Sequence, residues 1–121
     1  MTATLQDTTA IAETIGRYTE GARTGDLAKM KAAFHRDAQI FGYIQGEPFF
    51  GPIQILFDWD EKNGPAADIQ TQITSIDVAG TVASVRLEID NWTGIRFTDF
   101  FTLCKVDGRW LVMNKVFHRH N

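Results

Sequence analysis

The end of the chain holds the feature that most restricts its fold: two long apolar runs joined by the dipeptide Asp107-Gly108. Residues 94–106 read GIRFTDFFTLCKV, and residues 109–120 read RWLVMNKVFHRH. Runs rich in Val, Phe, Trp and Thr favour strands, and Asp-Gly is typical of the two-residue turn of a β-hairpin. The pattern therefore predicts a long antiparallel hairpin at the end of the chain.

Both faces of this hairpin are substantially apolar, which is unusual for a sheet with one face in water. If Val106 pairs with Arg109, each face takes alternate residues of both strands. One face then carries Phe97, Asp99, Phe101, Leu103, Trp110, Val112, Asn114, Val116 and His118. The other carries Thr98, Phe100, Thr102, Cys104, Leu111, Met113, Lys115 and Phe117. We expect the Lys115 face to line a pocket beneath helices, and the Asn114 face to contact a second copy of the chain in a two-fold dimer.

The first half of the sequence has helical spacing, followed by more strands. A first helix places Ile11, Ile15 and Tyr18 on one face, with Asp7 or Thr8 as its cap, and ends near Gly25. A second helix runs from Asp26 to the HRD sequence at 35–37, and a third covers 52–63, with Pro52 in its first turn. Strands are predicted at 38–46, with a bulge at Gly42, and at 68–78 and 81–90. This order predicts one α+β domain over residues 1–121, in which three N-terminal helices cover the concave face of a curved antiparallel sheet.

Composition disfavours several classes of function. Twelve basic and 15 acidic residues give a net charge of −3 without basic blocks, so nucleic acid is a poor partner. No run approaches the roughly 18 apolar residues of a membrane span, and the N-terminus lacks a signal-peptide pattern. The single cysteine, Cys104, excludes an internal disulfide, so we expect a cytoplasmic protein. The sequence lacks GxSxG, P-loop and GxGxxG motifs, and we predict no cofactor.

Residues 15–42, IGRYTEGARTGDLAKMKAAFHRDAQIFG, together with residues 92–120, resemble the nuclear transport factor 2-like superfamily. The resemblance is closest to its branch described as "putative lumazine-binding", near the SnoaL-like proteins. It implies a cone formed by a curved sheet around helices, an internal pocket and frequent dimerisation through the sheet. Relatives include isomerases, dehydratases, polyketide cyclases and non-catalytic domains. Against ketosteroid isomerase, Tyr18 matches the oxyanion-hole tyrosine, whereas the positions of the two catalytic carboxyl groups fall at Gly42 and near Thr102.

Three residues are candidates for chemistry. Tyr18 can donate its hydroxyl to a ligand oxygen, or can be a core tyrosine bonded to the backbone. Asp99 can be an acid or base with a raised pKa, or can be bonded to Asn114 or His118 on its own face. Lys115 can supply a cation or a low-pKa amine to a pocket, or can lie along the sheet with its amine in water. It should not pair with Asp99 unless a bulge intervenes.

Aromatic and flexible side chains are candidates for lining a pocket of a few hundred Å³. They are Trp59, Phe57, Phe100, Met113 and Phe117. His118 and His120 share a strand face, but the sequence supplies no third ligand, so no metal site is predicted. The sequence thus predicts a domain that binds an unidentified, partly apolar small molecule. A cofactor-independent acid–base enzyme of isomerase, dehydratase or cyclase type, and a dimeric interaction module, remain as alternatives.

Overall fold

The computed structural model describes residues 4–121, in which three helices pack on one side of a curved six-stranded sheet. The helices are α1 (Leu5–Thr24), α2 (Leu27–Lys31) and α3 (Gln54–Asn63). The strands are β1 (Phe34–Phe41), β2 (Tyr43–Ile44), β3 (Glu47–Pro48), β4 (Gly51–Pro52), β5 (Gln70–Ala79), β6 (Val82–Trp92), β7 (Ile95–Val106) and β8 (Arg109–Arg119). Within residues 4–121, no helix has the length and apolar character needed to cross a membrane. The predicted α+β class and the helix-covered concave face are confirmed.

The first helix forms as its spacing predicts, with a different cap. The Thr4 side chain accepts a hydrogen bond from the Asp7 backbone N–H at 3.0 Å, so Thr4 rather than Asp7 or Thr8 caps the helix. Its inward face buries Ile15 and Tyr18 completely or nearly so. Gly25 ends the helix with φ at 79°, a left-handed conformation that glycine adopts without a steric penalty.

The second helix is shorter than its sequence pattern predicts. It begins at the Asp26 cap but ends at Lys31, and the HRD sequence at 35–37 belongs to β1. Pairing explains the difference, because β1 lies parallel to β8 and the Val112 N–H donates to the Ala33 carbonyl at 2.9 Å. Sheet hydrogen bonds therefore override the local helical spacing. The predicted start of the third helix at Pro52 is also wrong, since Pro52 lies in β4 and α3 begins at Gln54.

The large sheet is mixed, with strand order β4-β1-β8-β7-β6-β5. The strands β5 to β8 form the predicted antiparallel meander, and Val106 pairs with Arg109 at the last turn as expected. The parallel β1–β8 pair departs from the predicted all-antiparallel sheet. It places β8 in the middle of the sheet, where its concave side chains meet the helices.

A bulge at Met113 divides the last strand into two registers. Thr102 pairs with Asn114 and Leu103 pairs with Val112, so Met113 has no opposite residue on β7. Since side chains alternate between faces, one extra residue transfers every later side chain to the other face. The predicted grouping of residues by face is therefore right before Met113 and wrong after it. The predicted roles of the faces are wrong before Met113, because the helices bury Phe97, Phe101, Leu103, Trp110 and Val112, which were expected to contact a second copy of the chain. Lys115 joins Asp99 on the concave face, while Asn114 points outward and is exposed.

Candidate functional site

A tyrosine, an aspartate and a lysine meet at the centre of the concave face. The Tyr18 hydroxyl donates to Asp99 Oδ2 at 3.3 Å, and Lys115 Nζ lies 3.6 Å from the same oxygen. Tyr18 and Asp99 have no exposed surface, and Lys115 is 4% exposed. The three candidate catalytic residues predicted from the sequence therefore form one buried cluster.

Each member of the cluster is positioned by a different element. Tyr18 lies on the inward face of α1, Asp99 lies in the middle of β7, and Lys115 lies on β8 beyond the bulge. The Asn114 and His118 partners predicted for Asp99 are replaced by Tyr18 and Lys115, because the bulge exchanges the faces.

A fourth ionisable residue, Asp60, is buried near this cluster and was missed by the sequence reasoning. It is 2% exposed, and neither carboxylate oxygen has a hydrogen-bond partner within residues 4–121. Burial raises the pKa of Asp60 to about 6, although the positive charge of Lys115 opposes that rise. A helical signal existed, because Asp60 lies four residues after Leu56 and three after Phe57, and both of these side chains are buried.

Burial also controls the protonation of the other three groups. It raises the pKa of Asp99 and lowers the pKa of Lys115, in each case against the attraction between their opposite charges. The pKa of Tyr18 is well above its ordinary value, first because of burial and then because of the nearby Asp99 and Asp60 carboxylates. Both shifts in the Asp99–Lys115 pair favour the neutral acid and the neutral amine. Lys115 therefore loses its proton at a lower pH than an exposed lysine does.

An apolar cavity reaches the cluster at Lys115. Its lining residues are Ile40, Ile44, Phe49, Leu56, Trp59, Trp92, Phe97, Lys115 and Phe117. Among them Lys115 is the single charged residue, and Tyr18, Asp60 and Asp99 lie outside the lining. Trp92 contributes an indole N–H that has no partner within residues 4–121. Lys115 therefore connects the cavity to the buried acidic groups.

The cavity is narrower than the few hundred Å³ predicted from the sequence. The cavity and the solvent at its open mouth together occupy about 300 Å³. Only about 20 Å³ of this space can hold the centre of a water molecule. The smaller figure is the one to compare with occupied cavities, and it corresponds to roughly one water molecule. A larger ligand must displace lining side chains, so the site favours a small molecule.

The structure separates the predicted lining residues into two groups. Trp59 and Phe117 line the cavity as expected. Phe57 is instead packed in the core, with its ring 5.7 Å from that of Phe34. Phe100 is 51% exposed on the convex face, and Met113 lines a surface groove there, because both lie on the side of the sheet away from the helices. Phe57, Phe100 and Met113 therefore do not line the cavity, contrary to the sequence prediction.

Two further sequence expectations concern Gly42 and the C-terminal histidines. Gly42 lies between β1 and β2, and a Cβ atom there would collide with the Phe117 ring. Glycine therefore allows the chain to approach β8 at this point. No carboxylate can occupy that position without displacing a cavity wall. The His118 and His120 rings lie 4.7 Å apart, and His120 Nε2 is 2.8 Å from Thr98 Oγ1. Within residues 4–121, no group of three or more His, Cys, Asp or Glu side chains is arranged to hold a metal ion.

Residues 6–118 match the sequence profile of the family described as "Putative lumazine-binding". The chain belongs to this family. A relative from Cladobotryum sp, named aldolase FrzH, is 32% identical over 112 residues, which cover 92% of this chain and 90% of the relative.

Solved structures of similar proteins share this fold. An NTF2-like protein of unknown function from Methylobacillus flagellatus has a TM-score of 0.95 and 46% identity, covering 98% of this chain and 96% of that one. Another from Shewanella baltica has a TM-score of 0.92 and 40% identity, with coverage of 100% and 99%. A ketosteroid isomerase-like protein from Erwinia carotovora has a TM-score of 0.75 at 14% identity, with coverage of 98% and 99%, and shows a likeness of fold alone. The resemblance to the nuclear transport factor 2-like superfamily is thus confirmed.

Proposed function

We propose that the protein is a cofactor-independent acid–base enzyme that acts on a small carbonyl compound bound in the apolar cavity. The observation that carries this proposal is the position of Lys115. Its side chain contributes to the lining of the cavity, and its amine lies 3.6 Å from Asp99. A buried amine whose pKa is lowered by burial is a suitable general base.

The reaction begins with removal of a proton from the carbon next to the carbonyl group. The free amine of Lys115 accepts this proton, and the resulting ammonium group lies beside Asp99 and over the rings of Tyr18 and Phe117, at 5.6 and 4.7 Å. The unpaired indole N–H of Trp92 is a candidate donor to the oxygen that becomes negative. The lining around Lys115 is otherwise apolar, which strengthens these electrostatic interactions by excluding water.

The relative named as an aldolase supports this class of reaction. An aldol reaction starts with the same step, loss of a proton beside a carbonyl group, and then forms a carbon–carbon bond. The alignment with that relative covers 92% of this chain. We therefore place aldol-type chemistry ahead of hydration or isomerisation as the activity to be tested.

The direct test is deuterium incorporation into acetone in D₂O, measured by NMR. The wild-type protein should exchange the acetone protons faster than buffer does, and Lys115→Met should lower the protein-dependent rate at least about 100-fold, as for loss of a general base. Lys105→Met is the matched control, because Lys105 is half-exposed and pairs with Asp7 at 3.5 Å, away from the cavity. Absence of wild-type exchange, or equal rates for Lys115→Met and the wild type, would contradict the proposal.

A second candidate function is binding of a small molecule without catalysis. It is favoured by the mostly apolar wall, by the narrow volume and by the description of the family as lumazine-binding. Calorimetric titration with lumazine distinguishes the two functions when it is combined with the acetone assay. Binding that depends on Trp59 and Phe117, without proton exchange, would identify a binding domain.

We also propose that the chain forms a homodimer through the convex face of the sheet. The exposed apolar residues there differ from those that the sequence predicts for the interface, because the helices cover the face that was assigned to the partner. Val82, Phe100 and Val116 are 48%, 51% and 45% exposed on the convex face. Sedimentation of the wild type and of Phe100→Glu tests this: the wild type should be dimeric and the variant should dissociate more readily, whereas a wild-type monomer would refute it.

A further inference from the structure

The lysine of the site can act in two ways on a carbonyl compound, as a base or as a nucleophile. We infer that Lys115 forms a Schiff base with the substrate, and that the substrate is an unhindered aldehyde or ketone rather than an ester or a carboxylic acid. This inference rests on the proposed function, because it requires a carbonyl compound in the cavity. It goes further by assigning a covalent intermediate and by restricting the substrate class.

The position of the amine supports the covalent step. Lys115 is the single charged residue of the cavity lining, and the other lining side chains are apolar or aromatic, without a competing nucleophile among them. The lysine side chain is 4% exposed and is held by β8 in the middle of the sheet, so its amine is fixed rather than free in solution. A fixed amine beside a bound carbonyl carbon has the proximity that covalent catalysis needs.

The surroundings of Lys115 suit the charge of the product. Formation of a protonated Schiff base places a positive charge on this nitrogen, which lies 3.6 Å from Asp99 and 4.7 Å from the centre of the Phe117 ring. The Tyr18 ring lies 5.6 Å from it, and the Tyr18 hydroxyl donates to Asp99. These groups therefore stabilise an iminium ion as they stabilise an ammonium ion. Burial lowers the pKa of Lys115, which provides the free amine that the reaction consumes.

The step balances with groups that are present. The free amine attacks the carbonyl carbon, a C–N bond forms, and proton transfer gives a neutral carbinolamine. The protonated carboxyl group of Asp99 gives its proton to the carbinolamine hydroxyl, which leaves as water. The products are one iminium ion, one Asp99 carboxylate and one water molecule, so that a buried ion pair replaces a neutral pair. Because the iminium nitrogen can no longer accept a proton, the Asp99 carboxylate beside it is then the base that removes a proton from the neighbouring carbon. Hydrolysis by the reverse steps restores the amine, and no oxidant or reductant is required.

The test is reductive trapping on the wild-type protein. The protein is incubated with acetone and sodium cyanoborohydride near neutral pH, digested, and analysed by tandem mass spectrometry for an isopropyl group on each lysine. Lys115 should be labelled at least about tenfold faster than Lys105 and the other exposed lysines, because the cavity holds the carbonyl carbon beside a fixed amine. Lys115→Arg, which keeps the positive charge but is not a comparable nucleophile, should lose this labelling and retain labelling of exposed lysines.

The outcomes separate this inference from the proposed function. Acetone exchange without preferential labelling of Lys115 would overturn the Schiff base and leave general-base catalysis in place. Preferential labelling without exchange would support the Schiff base and contradict the proposed proton abstraction. Absence of both would overturn both. Labelling of Lys115 no faster than that of exposed lysines overturns the inference whether or not the variants fold, because this measurement uses the wild type.

Discussion

Replacement of Asp60 by Asn is the change for which the structure gives the clearest quantitative expectation. Asp60 is 2% exposed, its carboxylate has no hydrogen-bond partner in the described chain, and its pKa rises from 3.8 to about 6. The folded state therefore prefers the protonated acid. The stability that the folded protein has while Asp60 is protonated is fully present below pH 3.8, and it is lost as the pH rises through about 6. Asn has nearly the same shape as Asp and stays neutral, so the Asp60→Asn variant should not lose stability in this way as the pH rises.

The magnitude follows from the two pKa values. One pKa unit corresponds to about 1.4 kcal/mol, so the rise from 3.8 to about 6 corresponds to about 3 kcal/mol once Asp60 is fully ionised. Because part of this difference is already present at about pH 4.5, the stability advantage of Asp60→Asn should grow by about 2 kcal/mol between about pH 4.5 and about pH 8.

Urea unfolding at a fixed protein concentration across this pH range measures the difference. Glu61→Gln is the matched control, because Glu61 is the next residue of the same helix and is exposed. The control should not reproduce the pH-dependent gain. The reasoning is refuted if the difference in free energy of unfolding between Asp60→Asn and the wild type does not change with pH. It is also refuted if the variant becomes less stable than the wild type at the higher pH.

Three further changes test the cluster and its surroundings. Lys115→Met should destabilise the protein by about 2 kcal/mol because it removes the partner of the buried Asp99 carboxyl group, and addition of Asp99→Asn should restore part of the loss in a double-mutant cycle of urea unfolding. Tyr18→Phe removes the 3.3 Å hydrogen bond to Asp99 and should lower stability by about 1–2 kcal/mol in the same assay, with an unchanged value counting against that bond. Gly42→Ala should lower the melting temperature, since its Cβ atom displaces the Phe117 ring, and an unchanged melting temperature would show that the ring moves freely.

The helices and hairpins of the fold could be predicted because their signals are local. The spacing of Ile11, Ile15 and Tyr18 identifies α1, and the Asp107-Gly108 turn identifies the last hairpin. The end of α2 could not be predicted, since residues 35–37 are drawn into β1 by pairing with β8, a partner far away in the sequence. Such pairings depend on the whole sheet rather than on local propensity.

The candidate site depends on one irregularity that the sequence does not mark. The ideal register places Asp99 and Lys115 on opposite faces, and the bulge at Met113 brings them to the same face. Met113 is neither glycine nor a turn-forming residue, so no local signal indicated a bulge there. Asp60 was missed for a different reason, because a charged residue on a helix is usually solvent-exposed. Its position on the buried face of α3 was visible from its spacing with Leu56.

The most direct test of the account is the pH dependence of acetone proton exchange in the wild type and in Asp60→Asn. If the free amine of Lys115 is responsible, the protein-dependent rate should reach a plateau with an apparent pKa well below 10.5, the ordinary value for lysine. Because the Asp60 carboxylate raises the pKa of Lys115, Asp60→Asn should move the profile to still lower pH. A rate that rises with hydroxide concentration without a plateau, or a profile that Asp60→Asn leaves in place, would contradict the central role given to this buried cluster.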